Sequence, residues 1–525
     1  MRSPHDQSLL PRETLVTNQY AVIIFIALAS SISFGAEIHT NNYQKHLSQD
    51  TIVNVQVRVN ANEVVHTTDE KFLSVAFTMK DLSSHWTEYN LRSRRLRTLA
   101  KGLHPSYLRL GGSRADFATF KENLSKAELH KHFKNFTFTG QDWDEINEFS
   151  QAVGWLFIFD VNEFLRTNGQ WNPSNFEDLL DYNTARNYTV TAWQIGNEPN
   201  AYLHAVGVTI TAQQDAEDYI KLRAILNSRK QYVDPFLIGP DITKPHNKLS
   251  TSPVKFLQGF LAKCGDCTNV TTFHSYYLSA RTAKLDDFIN PSILDTLKME
   301  IREITDTVKA YPRATPRIWL TETADSVPGG VSGISDRYAG GFPFLDKLGV
   351  GAQQGLDVLM KQQFIGTMRF VGLVNESNSN PRPVYWVAYL HKQLVGQRVL
   401  NVTTNQHGIS NFRVYAHCTK TKNSKYSPGD VTMLMLNLDK AKSMQLSLQG
   451  ILTDSNIDEY LLTPSGDDGL HARYVNLNDV KLEMTNDTRL PELRPRPILH
   501  PHAVMLPPLT YGFYVIPKAN FQVCV

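Results

Sequence analysis

The feature that most constrains the fold is an alternation of short apolar runs with longer amphipathic segments between residues 72 and 395. The apolar runs are FLSVAFT from residue 72, SYLRLGG from 106, WLFIFDVN from 155, TVTAWQIGNE from 189, FLIGPD from 236, NVTTFHSYY from 269, RIWLTET from 317 and MRFVGLV from 368. Segments with a helical pattern, such as FEDLLDYNTARNY and DKLGVGAQQGLDVLMKQQF, separate them. Apolar strands between helices indicate a parallel sheet covered on both faces. Eight such units predict a (β/α)8 TIM barrel over residues 67–395.

A different pattern begins after residue 395. Runs such as VTMLMLNLDK, SMQLSLQG and YGFYVIPK alternate apolar and polar positions at period two, with turn residues between them. This pattern predicts an antiparallel β-sandwich domain over residues 396–525. The early run TIVNVQVRVN alternates in the same way, and we expect residues 51–66 to add a strand to this second domain.

The N-terminal segment has the pattern of a secretory signal over residues 1–36. The apolar run AVIIFIALASSISFG follows Arg2 and Arg12 and ends in small residues. An uncleaved signal-anchor is the alternative, because the stretch before the run is long. Seven sequons agree with secretion, at Asn123, Asn135, Asn187, Asn269, Asn375, Asn401 and Asn486. We therefore expect a secreted protein, extracellular or lysosomal, that associates with membranes only through a signal-anchor or bound glycan chains.

The cysteine content and the net charge narrow the range of possible ligands and partners. Cys264 and Cys267 form a close pair, while Cys418 and Cys524 are far apart in sequence. A zinc site would need two further ligands, and no second CxxC or HxxxH follows, so two disulfides are the simpler interpretation in an oxidising compartment. We expect no metal and no cofactor. The net charge of +2 gives no general attraction to polyanions, so an acidic polymer would need a local basic patch, and we expect no nucleic acid partner.

Polar residues at the predicted strand ends form the candidate site, because the chemistry of such barrels takes place where the strands end. Two of them are glutamates, Glu198 after the fourth strand and Glu322 at the seventh. Paired carboxylates across one cleft are what glycoside hydrolysis requires. A lone glutamate at a barrel mouth could instead cap a helix or pair with an arginine. The strand-end residues are Gly111, Gly112, Asp160, Asn162, Asn197, Glu198, Asp241, His274, Tyr276, Glu322 and Asn375.

Several of these motifs resemble the heparanase family of retaining endo-β-glucuronidases (glycoside hydrolase family 79). WQIGNEPN, FHSYYLSART and WLTETADS occur in the family's order, with RRLRTLAKGLHPSYLRLGGS before them and PVYWVAYLHKQLVG and FRVYAHCTK after them. The resemblance runs from about residue 51 to the end of the chain. It implies hydrolysis of glucuronate linkages in heparan sulfate or a related uronate-containing glycosaminoglycan by a monomer. Exo-β-glucuronidase action, or a glycan-binding protein that has lost catalysis, are the alternatives.

The resemblance also assigns roles to residues. Glu198 would be the general acid/base and Glu322 the nucleophile, with their carboxyl groups about 5 to 5.5 Å apart as retention requires. Asn197 would hold the 2-hydroxyl group of the sugar. Tyr276 would donate a hydrogen bond to the nucleophile.

The uronate carboxylate would be received by Tyr385 and by the backbone amides of Gly329 and Gly330. Two departures from the family pattern bear on this contact and on substrate preference. Pro328 falls where the family has a glycine, and proline has no N–H to offer a carboxylate. Ser275 replaces a second histidine, and the first strand ends in FTMKDL, without the acid that the family has there.

Basic residues near the cleft would favour binding of a sulfated chain, because clusters of cationic side chains bind sulfate groups well. The segment 126–136 matches part of the family's heparin-binding stretch, and we expect Lys131 and Lys134 to contact substrate. The second family patch is thin here. A solvated surface is the alternative for both patches, whose residues are Lys126, His130, Lys131, His132 and Lys134 in the first and Lys244, His246 and Lys248 in the second.

The connection after the second barrel strand bears on processing. The family typically excises a linker at this place and matures into two chains. Here only a short segment separates Gly112 from the helical pattern QDWDEINEFSQAV. We therefore expect activity as a single chain, with residues 113–140 forming a mobile rim.

Overall fold

The computed structural model describes residues 51–122, 135–246, 251–406, 410–450, 456–499 and 503–525. The predicted signal over residues 1–36 lies outside these residues, as do Lys131 and Lys134. In the described part of the chain, no helix combines the length and apolar character needed to cross a membrane.

The first part of the chain is built around a parallel eight-stranded sheet. In chain order the strands of this part are β1 (Thr51–Thr67), β2 (Leu73–Thr78), β3 (Tyr107–Gly111), β4 (Ala118–Lys121), β5 (Phe136–Thr139), β6 (Leu156–Val161), β7 (Arg166–Thr167), β8 (Gln170–Trp171), β9 (Ala192–Ile195), β10 (Ile238–Ile242), β11 (Val270–Ser279), β12 (Ile318–Val327) and β13 (Val358–Gln362). Eight of them form the sheet, in the order β10-β11-β12-β13-β2-β3-β6-β9. A parallel bridge between Trp193 and Leu237 joins the two ends of this order, so the sheet closes into the predicted (β/α)8 barrel.

Helices cover the outside of the barrel, and most of them connect one barrel strand to the next. Several begin with a side-chain cap, as at α3, where Thr139 and Asp142 form a capping box. The helices are α1 (Met79–Leu82), α2 (Arg94–Gly102), α3 (Gly140–Val153), α4 (Ser174–Arg186), α5 (Tyr202–Val206), α6 (Ala212–Asn227), α7 (Pro253–Cys264), α8 (Pro291–Leu294), α9 (Thr296–Lys309), α10 (Gly341–Gln353) and α11 (Pro383–Leu394). Short 3-10 turns lie at Ala115–Phe117, Pro199–Ala201, Lys230–Tyr232, Leu285–Ile289, Tyr338–Gly340, Gly469–His471 and Gln522–Cys524.

The eighth barrel strand differs from the sequence prediction. The run MRFVGLV at 368–374 is not a barrel strand, and the strand is β13, inside a segment with a helical pattern. Helix α10 ends at Gln353, and Gly355, with a φ of 93°, turns the chain into β13. The run at 368–374 lies over the end of the barrel instead, where Val371 and Met368 pack against Tyr276. Asn375 is therefore not the end of a barrel strand.

The barrel interior is layered, because alternate residues of each strand point inward. Buried apolar side chains fill one layer, among them Tyr107 of β3, Ile158 of β6 and Ala192 of β9. Two positions further along the same strands are Arg109, Asp160 and Gln194, all fully buried. The polar layer thus lies between the apolar layer and the ends of the strands, where the candidate site residues are.

In the described residues, the second domain is one mostly antiparallel sheet of eleven strands. Besides β1, these are β14 (Val395–Thr404), β15 (Phe412–Thr419), β16 (Val431–Asn437), β17 (Lys442–Gln449), β18 (Ile457–Pro464), β19 (Val475–Leu477), β20 (Val480–Lys481), β21 (Arg496–Ile498), β22 (Val504–Leu506) and β23 (Thr510–Ile516). Their order is β20-β19-β18-β23-β16-β15-β14-β1-β17-β22, and β21 pairs with β18. Strand β1 pairs antiparallel with β14 but parallel with β17, so the sheet is not purely antiparallel.

Side chains on the two faces of this sheet enter two different cores, and one of these cores also contains the barrel. In β16, Met433 and Met435 enter the core of the second domain. Leu434 and Leu436, on the opposite face, belong to the large core that also contains the barrel. The central strands of the second domain are therefore buried on both faces, which explains why they are more apolar than a half-exposed strand.

Both predicted disulfides are present, Cys264–Cys267 and Cys418–Cys524. No described cysteine is free. The second bond joins β15 to the turn at Gln522–Cys524, with a sequence separation of 106.

We expect the double variant Cys418→Ala/Cys524→Ala to lose up to about 4 kcal/mol of free energy of unfolding, because a bond that closes a long loop restricts the unfolded chain most. Guanidinium denaturation of the non-reduced protein measures the change. The matched control is Cys264→Ala/Cys267→Ala, which removes a bond of sequence separation 3 and should cost less. Equal losses in the two variants would contradict the expectation.

Candidate active site

The carboxyl ends of the barrel strands surround a cleft of about 640 Å³. Glu198 and Glu322 both line it, together with His274 and Tyr276. The two predicted carboxylates therefore share one cleft, at the end of the barrel where such enzymes hold their active sites.

Glu322 is held through both carboxylate oxygens. Tyr276 Oη donates a hydrogen bond to Oε1 at 2.6 Å, and Arg109 Nη1 donates to Oε2 at 3.1 Å. The glutamate side chain is 12% exposed. Burial and the neighbouring Glu322 raise the pKa of Tyr276 well above its ordinary value, so the phenol stays protonated and remains a donor.

Glu198 follows β9 in a left-handed conformation, with a φ of 57°. Its N–H donates to the carbonyl of Asp241 at 3.1 Å, which fixes the turn against the end of β10. Its side chain is 28% exposed, and Oε1 lies 2.9 Å from His274 Nδ1. The other ring nitrogen of His274 lies 2.7 Å from Asp241 Oδ2.

His274 is a buried cation between two carboxylates. Burial alone would lower the pKa of His274, but the charges of Asp241 and Glu322 and the bonds to Asp241 and Glu198 raise it to about 10. A protonated imidazole donates from both nitrogens. His274 therefore donates to Glu198 and to Asp241 at once and orients the glutamate.

Arg109 occupies the centre of the polar layer and has no solvent exposure. Its guanidinium donates to Asp241 Oδ2 at 2.6 Å, to Asn197 Oδ1 at 2.9 Å and to Gln194 Oε1 at 3.1 Å, besides its bond to Glu322. Burial would raise the pKa of Asp241, but Arg109 and then His274 hold it well below its usual range. Asp241 is therefore ionised.

The other buried acids near Arg109 behave differently. Burial raises the pKa of Asp160 well above its ordinary value, and it raises that of Asp116 to about 7. Asp116 Oδ2 accepts from the N–H of Asn197 at 3.3 Å, and Tyr202 Oη lies 3.0 Å from the same nitrogen. These groups position the backbone of Asn197, the residue before Glu198.

The loop after β12 brings Pro328 to the wall of the cleft, with Gly329 and Gly330 next to it. Both glycines have positive φ, 69° and 83°. A Cβ atom on Gly330 would lie 2.7 Å from Val371 Cγ1, so the close packing requires glycine. Neither glycine N–H donates a hydrogen bond to any described residue. Their contact with a substrate carboxylate stays a prediction.

Tyr385 is not at the cleft, so the predicted contact of Tyr385 with the uronate is wrong for this structure. It lies in the first turns of α11 on the outside of the barrel and is fully buried. Its Oη donates to the carbonyl of Leu99 in α2 at 2.9 Å. Ser275 also faces away from the cleft, and its hydroxyl donates to Glu300 at 2.5 Å.

Among the described residues, four lysine and arginine side chains line the cleft, and sequence reasoning recognised only one of them, Lys244. They are Lys80, Arg114, Lys244 and Arg281. Each lies two or three residues beyond the end of a barrel strand, at β2, β3, β10 and β11 respectively. A basic residue two or three positions after a predicted barrel strand is therefore the sequence signal for such a side chain. Among the described residues, no group of three or more potential metal ligands comes together.

Comparison with known proteins identifies the family. Residues 54–349 match the family described as "Glycosyl hydrolase family 79, N-terminal domain". The chain belongs to glycosyl hydrolase family 79. It is 35% identical to heparanase of Bos taurus over 482 residues, which cover 83% of this chain and 86% of the bovine protein. The chain is thus a glycoside hydrolase by family.

Two further similarities concern the activity of a relative and the fold. The chain is 31% identical to a Homo sapiens protein named inactive heparanase-2, over 89% of each protein. The crystal structure of a 4-O-α-L-rhamnosyl-β-D-glucuronidase from Fusarium oxysporum has a similar fold, with a TM-score of 0.63 and 16% identity. That alignment covers 88% of this chain and 100% of the fungal one. One relative of this chain is therefore named inactive, and the residues of the cleft must carry the argument for activity.

The pKa of His274 generates a prediction about stability. A histidine whose pKa rises from 6.5 to about 10 on folding stabilises the protein fully below pH 6.5, and this contribution is lost as the pH rises towards 10. We expect His274→Gln to be less stable than the parent protein at neutral pH, with the difference shrinking towards pH 10. Thermal unfolding across this range measures it. The control is His204→Gln at an exposed position of α5. A His274→Gln difference independent of pH would contradict a buried imidazolium.

Proposed function

We propose that this chain is a secreted, retaining endo-β-glucuronidase that hydrolyses glucuronate linkages in heparan sulfate or a related uronate-containing glycosaminoglycan. The observation that carries the proposal is the unequal environment of the two glutamates in one cleft. Glu322 is held through both oxygens and is 12% exposed. Glu198 is held through one oxygen and is 28% exposed. These environments suit a nucleophile and an acid/base respectively.

Glu322 suits the role of nucleophile because it is oriented and deep in the cleft. Tyr276 and Arg109 each donate to one of its oxygens. In the proposed reaction, one oxygen attacks the anomeric carbon while the glycosidic bond breaks, and a covalent glycosyl-enzyme forms. The two donors fix the attacking oxygen without needing to move, which is the kind of preorganisation that lowers barriers.

Glu198 suits the role of acid/base because one of its oxygens remains available. His274 Nδ1 donates to Oε1, which leaves Oε2 to protonate the departing oxygen. In the second step the same carboxylate accepts a proton from the water that cleaves the glycosyl-enzyme. Asn197 Oδ1 is occupied by Arg109, so its amide nitrogen is the group left to bind the 2-hydroxyl of the sugar.

The positions of the cations support an acidic substrate that crosses the cleft. Around the barrel, β10 and β11 lie on one arc between β9, which precedes Glu198, and β12, which carries Glu322. Strands β2 and β3 lie on the other arc. Lys244 and Arg281 thus stand on one side of the catalytic pair, with Lys80 and Arg114 on the other. Cations on both sides favour cleavage within a chain over removal of a terminal sugar.

Relatives give the substrate proposal its second support. The similarity to bovine heparanase extends over both domains. The similarity to a protein named inactive favours the alternative of a glycan-binding protein, and only a turnover measurement separates the two.

We expect Glu322→Gln to lose about a thousandfold or more in kcat on every glucuronide, because the attacking group is removed. Glu198→Gln should lose about a hundredfold to ten-thousandfold on a glycan. On an aryl glucuronide whose phenol leaves without protonation, the first step of Glu198→Gln should be much less affected. Single-turnover release of the phenol measures this difference.

The controls test folding and stereochemistry. Glu148→Gln, at an exposed glutamate of α3 paired with Arg92, should keep full activity. Melting temperatures of both catalytic variants should stay within about 3 °C of the parent protein. Proton NMR of the first product should show the β-anomer if the mechanism is retaining. A Glu322→Gln variant with a tenth of parental activity, or an initial α-anomer, would refute the assignment.

The cations generate a separate prediction about the substrate. Lys80→Gln and Arg281→Gln should each raise KM for heparan sulfate about twofold to fivefold, since an exposed ion contact is worth up to about 1 kcal/mol. Neither should change kcat/KM for a small aryl glucuronide. Lys309→Gln, in the last turn of α9, is the matched control. If only one of the two cleft variants has an effect, the chain does not cross the cleft, and exo action is favoured.

The connection after β3 generates a prediction about proteolytic processing. Strands β4 and β5 flank residues 123–134 and pair in parallel, with Phe120 and Phe138 buried. The predicted mobile rim is therefore wrong for these two strands. We expect full activity from the single chain once the signal is removed. A denaturing gel of the active protein beside its activity is the measurement, and activity that appears only after cleavage into two fragments would contradict it.

A further inference from the structure

A second cavity lies at the opposite end of the barrel from the cleft. It has a volume of about 340 Å³ and shares no residue with the catalytic cleft. Phe72 and Leu73, at the start of β2, form part of its wall. The C-terminal turns of α11 and the end of β15 complete it, so the cavity lies between the two domains.

Basic side chains from three segments converge on this cavity. His391 and Lys392 come from α11, His417 from β15, and Lys420 and Lys422 from the residues after β15. The first three are buried, with exposures of 5%, 5% and 1% respectively.

Two buried imidazole nitrogens in this cavity have no hydrogen-bond partner in the described part of the chain. His417 Nδ1 lies 3.0 Å from the carbonyl of Gly396, so this nitrogen carries a proton and donates it. His417 Nε2 is buried and has no hydrogen-bond partner within the described residues, and the same holds for His391 Nε2. A buried polar atom without a partner costs free energy, which indicates a missing ligand or water.

The two lysines near these rings have N–H groups to spare. Lys392 Nζ donates to the carbonyl of Pro105, and Lys420 Nζ donates to the carbonyl of Lys392 at 2.7 Å. An ammonium group has three donors. Each lysine therefore uses one donor on a neutral carbonyl, and neither is paired with a carboxylate among the described residues.

The basic groups of the cavity destabilise one another's charged forms. Burial, then the charges of His417, Lys392 and Lys420, lower the pKa of His391 well below its ordinary value. Burial and then Lys420 lower the pKa of Lys392. Burial lowers the pKa of His417 to about 4. Basic neighbours therefore outweigh acidic ones at His391 and Lys392, so the cavity has too little counter-charge.

The nearby acids Asp69 and Glu70 supply only part of the counter-charge, since both raise the pKa of Lys392 but burial and Lys420 lower it overall. Asp69 Oδ1 accepts from the N–H and the Nζ of Lys71 at 2.8 and 3.4 Å. Glu70 lies 3.8 Å from Lys422. The charged and titratable groups around the two imidazoles are, besides those named, His66, His104, Arg398 and the main-chain carboxylate of Val525. Arg398 Nη1 donates to that carboxylate at 2.9 Å and to the carbonyl of Val523 at 2.7 Å.

We propose that this cavity binds a tetrahedral oxyanion of the sulfate class, held by Lys392, Lys420 and the two histidines. The volume is at the lower end of the range for small-molecule sites, so it admits a free ion or a sulfate ester on one sugar. An anion here raises the pKa values of the basic groups, so binding takes up protons and strengthens as the pH falls. The site does not depend on the hydrolase activity proposed for the cleft.

Thermal unfolding of the full secreted chain tests the proposal. Sodium sulfate, titrated at constant ionic strength against sodium chloride, should raise the melting temperature saturably by a few degrees near pH 5, with a smaller rise near pH 7.5. Glucosamine 6-sulfate and unsulfated glucosamine form two further arms. A rise with both sulfates shows that esters enter, while a rise with the inorganic ion alone shows a free-ion site.

Matched variants locate the effect. Lys420→Gln should reduce the sulfate-dependent rise at least about threefold, because it removes a direct donor. Lys425→Gln, at an exposed lysine paired with Asp458 outside the cavity, should leave it unchanged. Arg281→Gln should also leave it unchanged, which excludes binding in the catalytic cleft. Crystals of the unmutated protein soaked in selenate give a readout without variants, through the anomalous signal at Lys392 and Lys420. No saturable rise, a rise that Lys420→Gln retains, or a cavity without selenate would overturn the proposal.

Discussion

The structure of the barrel interior depends on one buried cation, Arg109. Its guanidinium donates to Asp241 and lies 3.5 Å from Asp160, both fully buried, and it also donates to Glu322, which is 12% exposed in the cleft. Burying an ion costs several kcal/mol, so the arginine and its acids are stable only together. Loss of the guanidinium would leave the carboxylates uncompensated, at a cost of about 3 to 5 kcal/mol. Asp241, at 2.6 Å, balances the guanidinium inside the layer, while the separate bond to Glu322 orients the proposed nucleophile, so one side chain serves both folding and the proposed chemistry.

A second constraint acts on the backbone beside Glu198. Glu198 and Asp241 both have left-handed φ values, 57° and 56°, which are unfavourable for residues with a Cβ atom. Each such residue costs about 1 to 3 kcal/mol unless its surroundings hold it. The bond from Glu198 N–H to the carbonyl of Asp241 and the bridge of His274 between the two side chains supply that support. The strain thus lies where a carboxylate must project from the end of a strand into the cleft.

Sequence reasoning predicted what depends on pattern and missed what depends on tertiary contact. Alternating apolar runs are enough to predict a barrel, and strand ends are enough to place Glu198 and Glu322. The eighth barrel strand was missed because VLMKQ follows α10 closely and is similarly apolar, so only the turn at Gly355 separates the strand from the helix. Tyr385 was misplaced because a motif does not reveal which face of α11 contacts α2. The lysines and arginines of the cleft come from segments that are distant in sequence, and only the order of strands around the barrel brings them to two sides of one pair of acids.

That arrangement also explains why the net charge of the chain is a poor predictor of the ligands that it binds. A net charge of +2 spread over the chain attracts polyanions weakly. The described structure nevertheless concentrates cations at both ends of the barrel, around the cleft and in the cavity beside α11. Salt screens exposed charges beyond about 8 Å at physiological ionic strength, so the exposed cations of each region attract anions only locally. A nearly neutral protein can in this way avoid unspecific adsorption to acidic polymers and still bind anions where its folded surface gathers the charges.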